Sequence, residues 1–226
     1  MAVISAIRPF SRDISRLKAV WSTITADSCP RDYNFHLHTR CSDGQLTPEE
    51  VIQQAVRIGL QGLAITDHHS IEGYRRARQW LDRYPEGSSP HLWTGIEITS
   101  QLLDTRVHIL GYGFDPEHPV LEPYLQGTRP EGENALAGTV IECLHRAGGL
   151  VILAHPFRYR LPAKDAIAAT VNEGIDGIEA FYAYDNPKPW RTSQPESDRA
   201  LEFARKYELF TTCGTDSHGV SILLRV

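Results

Sequence analysis

Histidine and carboxylate side chains stand at or near the ends of short apolar runs throughout this sequence. Ten of the 226 residues are histidine, and imidazole and carboxylate groups together suit manganese, iron or zinc. Seven places share the pattern: His36-Leu37-His38, Thr66-Asp67-His68-His69, Gly95-Ile96-Glu97, His108, Ala154-His155-Pro156, Ile178-Glu179 and Asp216-Ser217-His218. The chemistry that these residue types can perform together is metal binding and metal-assisted hydrolysis.

The pair His36 and His38 is the strongest local signal. Residues two apart in a strand point to the same face, so both imidazoles would meet one cavity while Leu37 faces the other side. Two buried imidazoles repel each other when protonated and are costly to desolvate unless a cation or another charge neutralises the site. A lone histidine in a strand is more often a hydrogen-bonded structural residue, so the spacing is what favours a metal site.

Several other members of the pattern have ordinary alternatives when each is taken alone. Asp43 is compatible with a turn residue, and Asp67 with a helix cap that follows a strand. His108 and His155 are equally compatible with a buried structural role.

Glu97 and Glu179 are harder to explain in this way. Both lie in apolar runs with no lysine or arginine nearby in the sequence, so each carboxylate needs a buried partner from elsewhere. The recurrence of such residues at the ends of seven runs favours one shared metal site over seven separate explanations.

The elements that must position these residues are short strands alternating with helices. Thr47-Pro48-Glu49-Glu50 predicts a helix start, because it combines a capping box with proline at the first helical position. Alternation predicts parallel strands with right-handed crossovers, although the short link between the third and fourth apolar runs also permits a hairpin. The predicted strands are residues 34–38, 63–66, 93–98, 107–112, 150–154, 177–181 and 209–212.

Seven strands in about 190 residues predict an α/β fold with a closed or nearly closed barrel. Parallel barrels place their functional residues at the carboxyl ends of the strands, so the histidines and carboxylates are expected to converge in space. A long connection rich in proline and glycine is predicted over residues 115–132, and a shorter loop from Pro85 to Pro90.

Composition narrows the function classes. The net charge of -5 argues against a general nucleic-acid coat protein, but not against an enzyme that takes nucleotides. No run approaches the roughly 20 apolar residues needed to cross a bilayer. The four cysteines lack paired spacing and predict reduced thiols in a cytoplasmic protein: Cys29, Cys41, Cys143 and Cys213.

Residues 1–30 differ from the rest and are predicted to form an amphipathic helical extension, with the main domain over 31–226. Arginines interrupt the apolar stripe, which excludes a secretory signal but leaves two alternatives, a helix that docks on the main domain and an organelle transit peptide. We favour the docking helix. Its apolar stripe consists of Ile7, Phe10, Ile14, Leu17 and Trp21.

Taken together and in this order, the motifs resemble those of the PHP (polymerase and histidinol phosphatase) family. The resemblance covers about residues 33–219 and is greatest to the small stand-alone metal-dependent phosphoesterases. It rests on His36-x-His38-Thr39, Ser42-Asp43-Gly44, Thr66-Asp67-His68, Gly95-Ile96-Glu97, Ala154-His155-Pro156 and Asp216-x-His218. It implies a distorted (β/α)7 TIM-like barrel.

The resemblance also implies two or three divalent metal ions, which would be manganese, iron or zinc. One ion would take His36, His38, Glu97 and Asp216. A second would share Glu97 and take His155, with His108 as its third ligand, and a third would take Asp43, His68 and His218.

The implied activity is hydrolysis of phosphate esters, of nucleotides or of oligonucleotide ends. Our hypothesis is that a hydroxide bridging the first two metals attacks phosphorus, with Asp67 and Glu179 fixing the orientation of the ligands. Arg158 or Arg160, which follow the Ala-His-Pro segment, would clamp the phosphate; plain surface charge is their alternative. The expected partner is a small phosphorylated substrate, with no membrane and no stable nucleic-acid coat.

Three departures from the family pattern bear on the site. His69 stands where many relatives have an acidic residue, and it would either bind phosphate when protonated or be a surface residue. The insert before Ala154-His155-Pro156 is shortened to about residues 115–134, and only eight residues follow His218.

Three other functions stay open on the sequence alone. A histidinol-phosphate-type phosphatase would keep the same metal ligands. A metal-dependent amidohydrolase also begins with an H-x-H motif, although Glu97 and the Asp216/His218 pair speak against it. A non-catalytic module stabilised by metal is the third, since a fold alone does not fix a function.

Overall fold

The protein is described by a computed structural model that covers residues 13–83 and 89–226. The helices are α1 Ile14–Trp21, α2 Pro48–Ile58, α3 Glu72–Leu81, α4 Ala137–Arg146, α5 Ala163–Asn172 and α6 Gln194–Tyr207. The strands are β1 Tyr33–Asn34, β2 Gly62–Ala64, β3 His91–Trp93, β4 Gly95–Leu102, β5 Thr105–Tyr112, β6 Leu150–Leu153, β7 Gly177–Phe181 and β8 Phe210–Cys213.

The strands form an α/β fold with one parallel and one mixed sheet. The parallel sheet has the order β1-β2-β3, and the mixed sheet has the order β4-β5-β6-β7-β8. Strand β5 runs antiparallel to both β4 and β6, so the predicted parallel pairing is wrong at this strand. Only Leu103 and Asp104 separate β4 from β5, and so short a link can join only antiparallel strands. The hairpin is confirmed.

Hydrogen bonds join the two sheets to each other at both edges. Beyond β1, the amide of His38 donates to the carbonyl of Ser217 at 3.1 Å. At the opposite edge, the amide of Glu97 donates to the carbonyl of Asp67 at 3.2 Å. Both junctions fall on candidate site residues, so the segments that carry these residues are fixed by main-chain bonds on two sides.

Local sequence explains the start and end of α2 as predicted. The Thr47 hydroxyl accepts a hydrogen bond from the amide of Glu50, and the Glu50 carboxylate accepts one from the amide of Thr47. Gly59 ends the helix in the left-handed conformation, with a φ of 74°. The helix packs Val51, Ile52 and Ala55 into the smaller of two hydrophobic clusters.

Helix α1 packs against the larger hydrophobic cluster. Its Trp21 ring makes edge contacts with Phe35 and Tyr112, at centroid distances of 5.9 and 5.3 Å. The predicted stripe residues Ile7 and Phe10 lie outside the described residues, and the domain boundary at residue 30 stays a prediction.

The long connection predicted over residues 115–132 contains a 3-10 helix at Pro119–Tyr124, and a second one, Gly132–Ala135, begins at its last residue. Much of the loop predicted from Pro85 to Pro90 lies outside the described residues. Within the described ranges, no helix combines the length and apolar character needed to cross a membrane.

Candidate metal centre

The segment after β1 places two histidines in the interior of the protein. The side chains of both His36 and His38 are buried, while Leu37 lies in the smaller hydrophobic cluster on the other side. Nδ1 of His36 lies 2.9 Å from Oε1 of Glu179, and its Nε2 lies 3.0 Å from Oε2 of Glu97. The alternation expected from the His-x-His spacing is present.

Four side chains from three parts of the chain form the first donor group. His36, His38, Glu97 and Asp216 each contribute one atom, and these atoms lie within 4.8 Å of one another. Nε2 of His38 lies 3.0 Å from Oε2 of Glu97 and 3.1 Å from Oδ1 of Asp216. These are the four residues that the family resemblance implies for one ion.

A second donor group contains His38, Asp43, His68 and His218. Oδ2 of Asp43 lies 3.3 Å from Nε2 of His218 and 3.7 Å from Nε2 of His68. Nδ1 of His38 faces this group, at 3.5 Å from Oδ1 of Asp43. Sequence reasoning brought Asp43, His68 and His218 together but did not place His38 between two groups.

The third donor group is His68, Glu97 and His108. Nδ1 of His108 lies 2.7 Å from Oε1 of Glu97, and Nε2 of His155 lies 3.5 Å from the same oxygen. Glu97 therefore faces the first group with one oxygen and both His108 and His155 with the other.

Unpaired nitrogens in this cluster provide a test of whether metal ions fit. Both ring nitrogens of His38 and of His155, and Nδ1 of His68, are buried without a hydrogen-bond partner in the described part of the chain. His38 Nε2 lies 3.0 Å from Glu97, yet the geometry is not that of a hydrogen bond. Buried polar atoms left unpaired are costly. Cations between the donors would satisfy them, so this donor set fits divalent metal ions.

The electrostatics of the first group point the same way. Burial favours the neutral form of His38, but Asp216 and Glu97 outweigh it and raise its pKa to about 9. Burial opposes ionisation of Glu97 as well, yet His36 and His108 hold the pKa of that carboxyl well below its ordinary value. The carboxylates thus stabilise positive charge at this position, which a divalent cation supplies in place of protons.

Three residues of the site have an uncommon backbone conformation. His69, His155 and Asp216 have φ values of 52°, 25° and 53°. Residues other than glycine seldom adopt positive φ, and such conformations persist where the surrounding structure holds them. Each of these residues lies just beyond an apolar segment, where the chain changes direction at the candidate metal centre.

Glu179 and Asp67 form hydrogen bonds behind the candidate ligands. Oε2 of Glu179 accepts a hydrogen bond from the amide of His155 at 2.9 Å, so this one carboxylate contacts two candidate ligands. Asp67 lies outside the three donor groups. It accepts hydrogen bonds from the Thr39 hydroxyl at 2.7 Å and from the Ser42 hydroxyl at 2.9 Å, which hold the loop that carries Asp43.

Three donors converge on Oδ2 of Asp216. The Tyr182 hydroxyl donates at 2.7 Å, Nη1 of Arg158 at 3.0 Å and Nε of Arg225 at 2.9 Å. With Oδ2 occupied, only Oδ1 of Asp216 faces His36 and His38. Sequence reasoning missed two of these donors. Tyr182 gave a signal by its place just after β7, whereas nothing local distinguishes Arg225.

The remaining predicted site residues differ in position. Arg158 contacts the centre through Asp216, but Arg160 is exposed and makes no hydrogen bond or ion pair within the described residues. His69 is buried, and its Nε2 forms a hydrogen bond with the Thr99 hydroxyl at 3.3 Å. Burial is the main cause that lowers the pKa of His69 to about 4. The imidazole is therefore neutral at pH 7, which argues against phosphate binding by its protonated form.

Overlapping histidine and carboxylate groups at the strand ends of an α/β fold are typical of metal-dependent hydrolases. The PHP domain family matches residues 34–154, more than half of the chain, and the chain belongs to this family. The resemblance identified from the motifs is confirmed. With this membership, the protein is classed as a phosphoesterase, a hydrolase that acts on phosphate ester bonds.

Two curated proteins illustrate the similarity in sequence. The chain is 24% identical to the 5'-3' exoribonuclease Rnm of Escherichia coli, in a match that covers 82% of this chain and 85% of that protein. It is 36% identical over 115 residues to a 3',5'-nucleoside bisphosphate phosphatase of Chromobacterium violaceum, which covers 51% of this chain and 39% of that protein.

Solved structures share the fold. One is described as a metal-dependent phosphoesterase from Bifidobacterium adolescentis, with a TM-score of 0.67 and 23% identity over 84% of this chain and 88% of that chain. Another is described as an amidohydrolase from Chromobacterium violaceum with bound sulfate and no metal, with a TM-score of 0.71 and 19% identity over 86% of this chain and 90% of that chain. At such identities the likeness concerns the fold alone.

Proposed function

We propose that this protein hydrolyses phosphate esters of nucleotides or of oligonucleotide ends, at a centre built around Glu97 and Asp216. The observation that carries the proposal is the presence of three overlapping donor groups that share His38, His68 and Glu97. Nucleotide substrates are favoured because relatives are named as a 5'-3' exoribonuclease and as a nucleoside bisphosphate phosphatase.

The proposed cofactors are two or three divalent ions, manganese, iron or zinc. When bound, such ions neutralise phosphoryl oxygens and lower the pKa of a coordinated water. The proposed ligand sets are His36, His38, Glu97 and Asp216 for one ion, Glu97, His108 and His155 for a second, and Asp43, His68 and His218 for a third.

The protein's own groups around this centre orient ligands and contact the substrate. Glu179 fixes the ring of His36 and the backbone of His155, and Asp67 holds the loop of Asp43 through Thr39 and Ser42. The Arg158 side chain is 38% exposed, and among the described residues it forms hydrogen bonds only through Nη1, to Asp216 and Tyr182. The other N–H groups of its guanidinium stay available for a phosphate oxygen.

The two sheets are proposed to close into the distorted (β/α)7 barrel that the resemblance implies. Isolated strand-like pairings of Leu37 with Ser217 and of His68 with Glu97 support closure at both edges. β3 and β4 are separated by Thr94 alone, so the chain passes directly from one sheet to the other.

A cytoplasmic location belongs to the same proposal. The four cysteines are free thiols, three of them buried, and unpaired thiols suit a reducing compartment. The partner would be a small phosphorylated substrate or a short nucleic-acid end.

A metal analysis coupled to a substrate screen tests the proposal. We expect the purified protein to contain at least one of the three metals and to hydrolyse phosphate esters in the presence of manganese. The panel contains phosphomonoesters, phosphodiesters, a 5'-phosphorylated RNA and a set of amides. Hydrolysis of amides alone would favour an amidohydrolase, and metal binding without any turnover would favour a non-catalytic module.

Two histidine variants connect that result to the site. His38→Ala removes a residue that faces two donor groups, so turnover should fall by orders of magnitude with the fold retained. His145→Ala is the matched control, because His145 is on α4 and pairs with Asp176 instead. Turnover by His38→Ala at the level of His145→Ala would contradict the proposed centre.

A further inference from the structure

A cavity of about 340 Å³ adjoins the candidate metal centre on the β4–β5 hairpin. Thr99 lines this cavity and is also the β4 partner of His108 in the ladder. The Thr99 hydroxyl in turn contacts His69. Thr99 therefore lies between this cavity and His108 of the candidate metal centre.

Strand geometry directs Arg106 into this cavity. Arg106 lines it and pairs with Gln101, as His108 pairs with Thr99. Residues two apart in a strand share a face and are separated by roughly 7 Å. Arg106 thus lies on the same face of β5 as His108, two residues earlier in the sequence and further from the other metal ligands.

Arg129 contributes a second guanidinium to the lining of the cavity. The segment that carries it is held against the site by a hydrogen bond from the amide of Gly127 to the carbonyl of His69, at 2.9 Å. Arg129 lines the cavity, and the hydrogen bond from Gly127 keeps its segment beside His69.

Among the described residues, no other group pairs with the charges of these two arginines. Within residues 13–83 and 89–226, neither Arg106 nor Arg129 has a side-chain hydrogen bond or an ion pair. Glu131 also lines the cavity, so the wall carries two positive charges against one negative charge. Two unpaired guanidinium groups with one excess charge favour an anion, and the planar guanidinium matches phosphate oxygens well.

We propose that Arg106 and Arg129 bind a second phosphate group of the substrate while the first lies at the metal centre. This inference rests on the proposed function and narrows it to nucleotidyl substrates that carry at least two phosphates. The cavity volume is at the low end of the roughly 300–1,000 Å³ of small-molecule sites, which suits one phosphate and part of its sugar. The second phosphate comes either from a nucleoside bisphosphate or from the next linkage of an oligonucleotide.

The test compares three substrates on Arg106→Ala, Arg129→Ala and the double variant. The substrates are a nucleoside monophosphate, a nucleoside 3',5'-bisphosphate and a 5'-phosphorylated trinucleotide. Arg205→Ala is the matched control, because Arg205 is exposed on α6 and its replacement removes the same charge. For each variant, kcat/KM on each two-phosphate substrate is divided by kcat/KM on the monophosphate.

We expect this ratio to fall about tenfold for each arginine removed, since a hydrogen bond to a charged group is lost. A fall on the bisphosphate alone would identify a nucleoside bisphosphate as the source, and a fall on the trinucleotide alone would identify an oligonucleotide. A ratio in the double variant equal to that of Arg205→Ala for both substrates overturns the inference.

A binding measurement separates failure of this inference from failure of the proposed function. Binding of a labelled 5'-phosphorylated trinucleotide is measured by fluorescence anisotropy over a range of salt concentrations. Calcium is the divalent ion, and the measurement requires no turnover. The double variant should bind more weakly than Arg205→Ala, with a salt slope smaller by about 0.7 for each lost phosphate contact. If no substrate is hydrolysed but this difference is present, the proposed function fails and the second phosphate site stands. Equal binding and equal slopes overturn the site.

Discussion

Replacement of Arg225 by alanine would remove one of three donors from Oδ2 of Asp216. The Asp216 side chain is only 3% exposed, and Nε of Arg225 lies 2.9 Å from its carboxylate. Tyr182 and Arg158 would still hold the same oxygen, at 2.7 and 3.0 Å. Loss of a group that orients a metal ligand costs about 10- to 100-fold in metal affinity or activity. Because two donors remain, we expect a loss near tenfold for Arg225→Ala, and near 100-fold for Arg225→Ala combined with Tyr182→Phe.

The assay is a competition titration of zinc or manganese against a chelator of known affinity, without any substrate. Two effects of the substitution oppose each other: loss of orientation weakens metal binding, whereas loss of a positive charge strengthens it. Arg225→Lys keeps the charge and loses the guanidinium geometry, so it should also bind the metal more weakly than the native protein. Thermal unfolding of each variant checks that the fold is kept. Metal affinity of Arg225→Ala equal to or above the native value would refute the orientation argument.

Three further predictions concern the same centre. Glu179→Gln should weaken metal binding about tenfold, because Glu179 contacts both His36 and His155; unchanged affinity in the same titration would contradict this role. Gly214→Ala should lower both the unfolding temperature and metal affinity, since an added Cβ would meet the His36 side chain; Gly127→Ala, where φ is 70° and no atom lies within 4 Å of the added Cβ, shows the effect of backbone strain without a steric contact. With metal ions removed by a chelator, the unfolding temperature of the protein should fall as pH rises from about 7 through 9. Burial opposes the charged form of His38, but Asp216 and Glu97 raise its pKa to about 9, above its ordinary value of 6.5. The protonated imidazole therefore stabilises the fold fully below pH 6.5, and this contribution is lost as pH rises through the pKa of the folded state. A profile that is flat there, or the same in His38→Ala, would contradict this.

The family, the main strand positions and most of the donor residues could be predicted from the sequence. Strand and helix periodicity are local properties, so the same-face placement of His36 and His38 and the capping of α2 follow from spacing alone. Carboxylates and histidines at the ends of apolar runs were expected to converge, and the structure brings them within bonding distance of common points.

Only the tertiary structure decided the pairing of β5 with β6 and the partners of the ligands. The short link makes β5 antiparallel to β4, but its antiparallel pairing with β6 is a long-range contact that periodicity does not encode. The contact of Arg225 with Asp216 depends on how the end of the chain returns to the centre. Long, flexible side chains reach partners that are set by the packing of distant segments, as Arg106 and Arg129 also show. The sequence by itself determined which residue types are available for chemistry, and long-range packing decided which atoms meet.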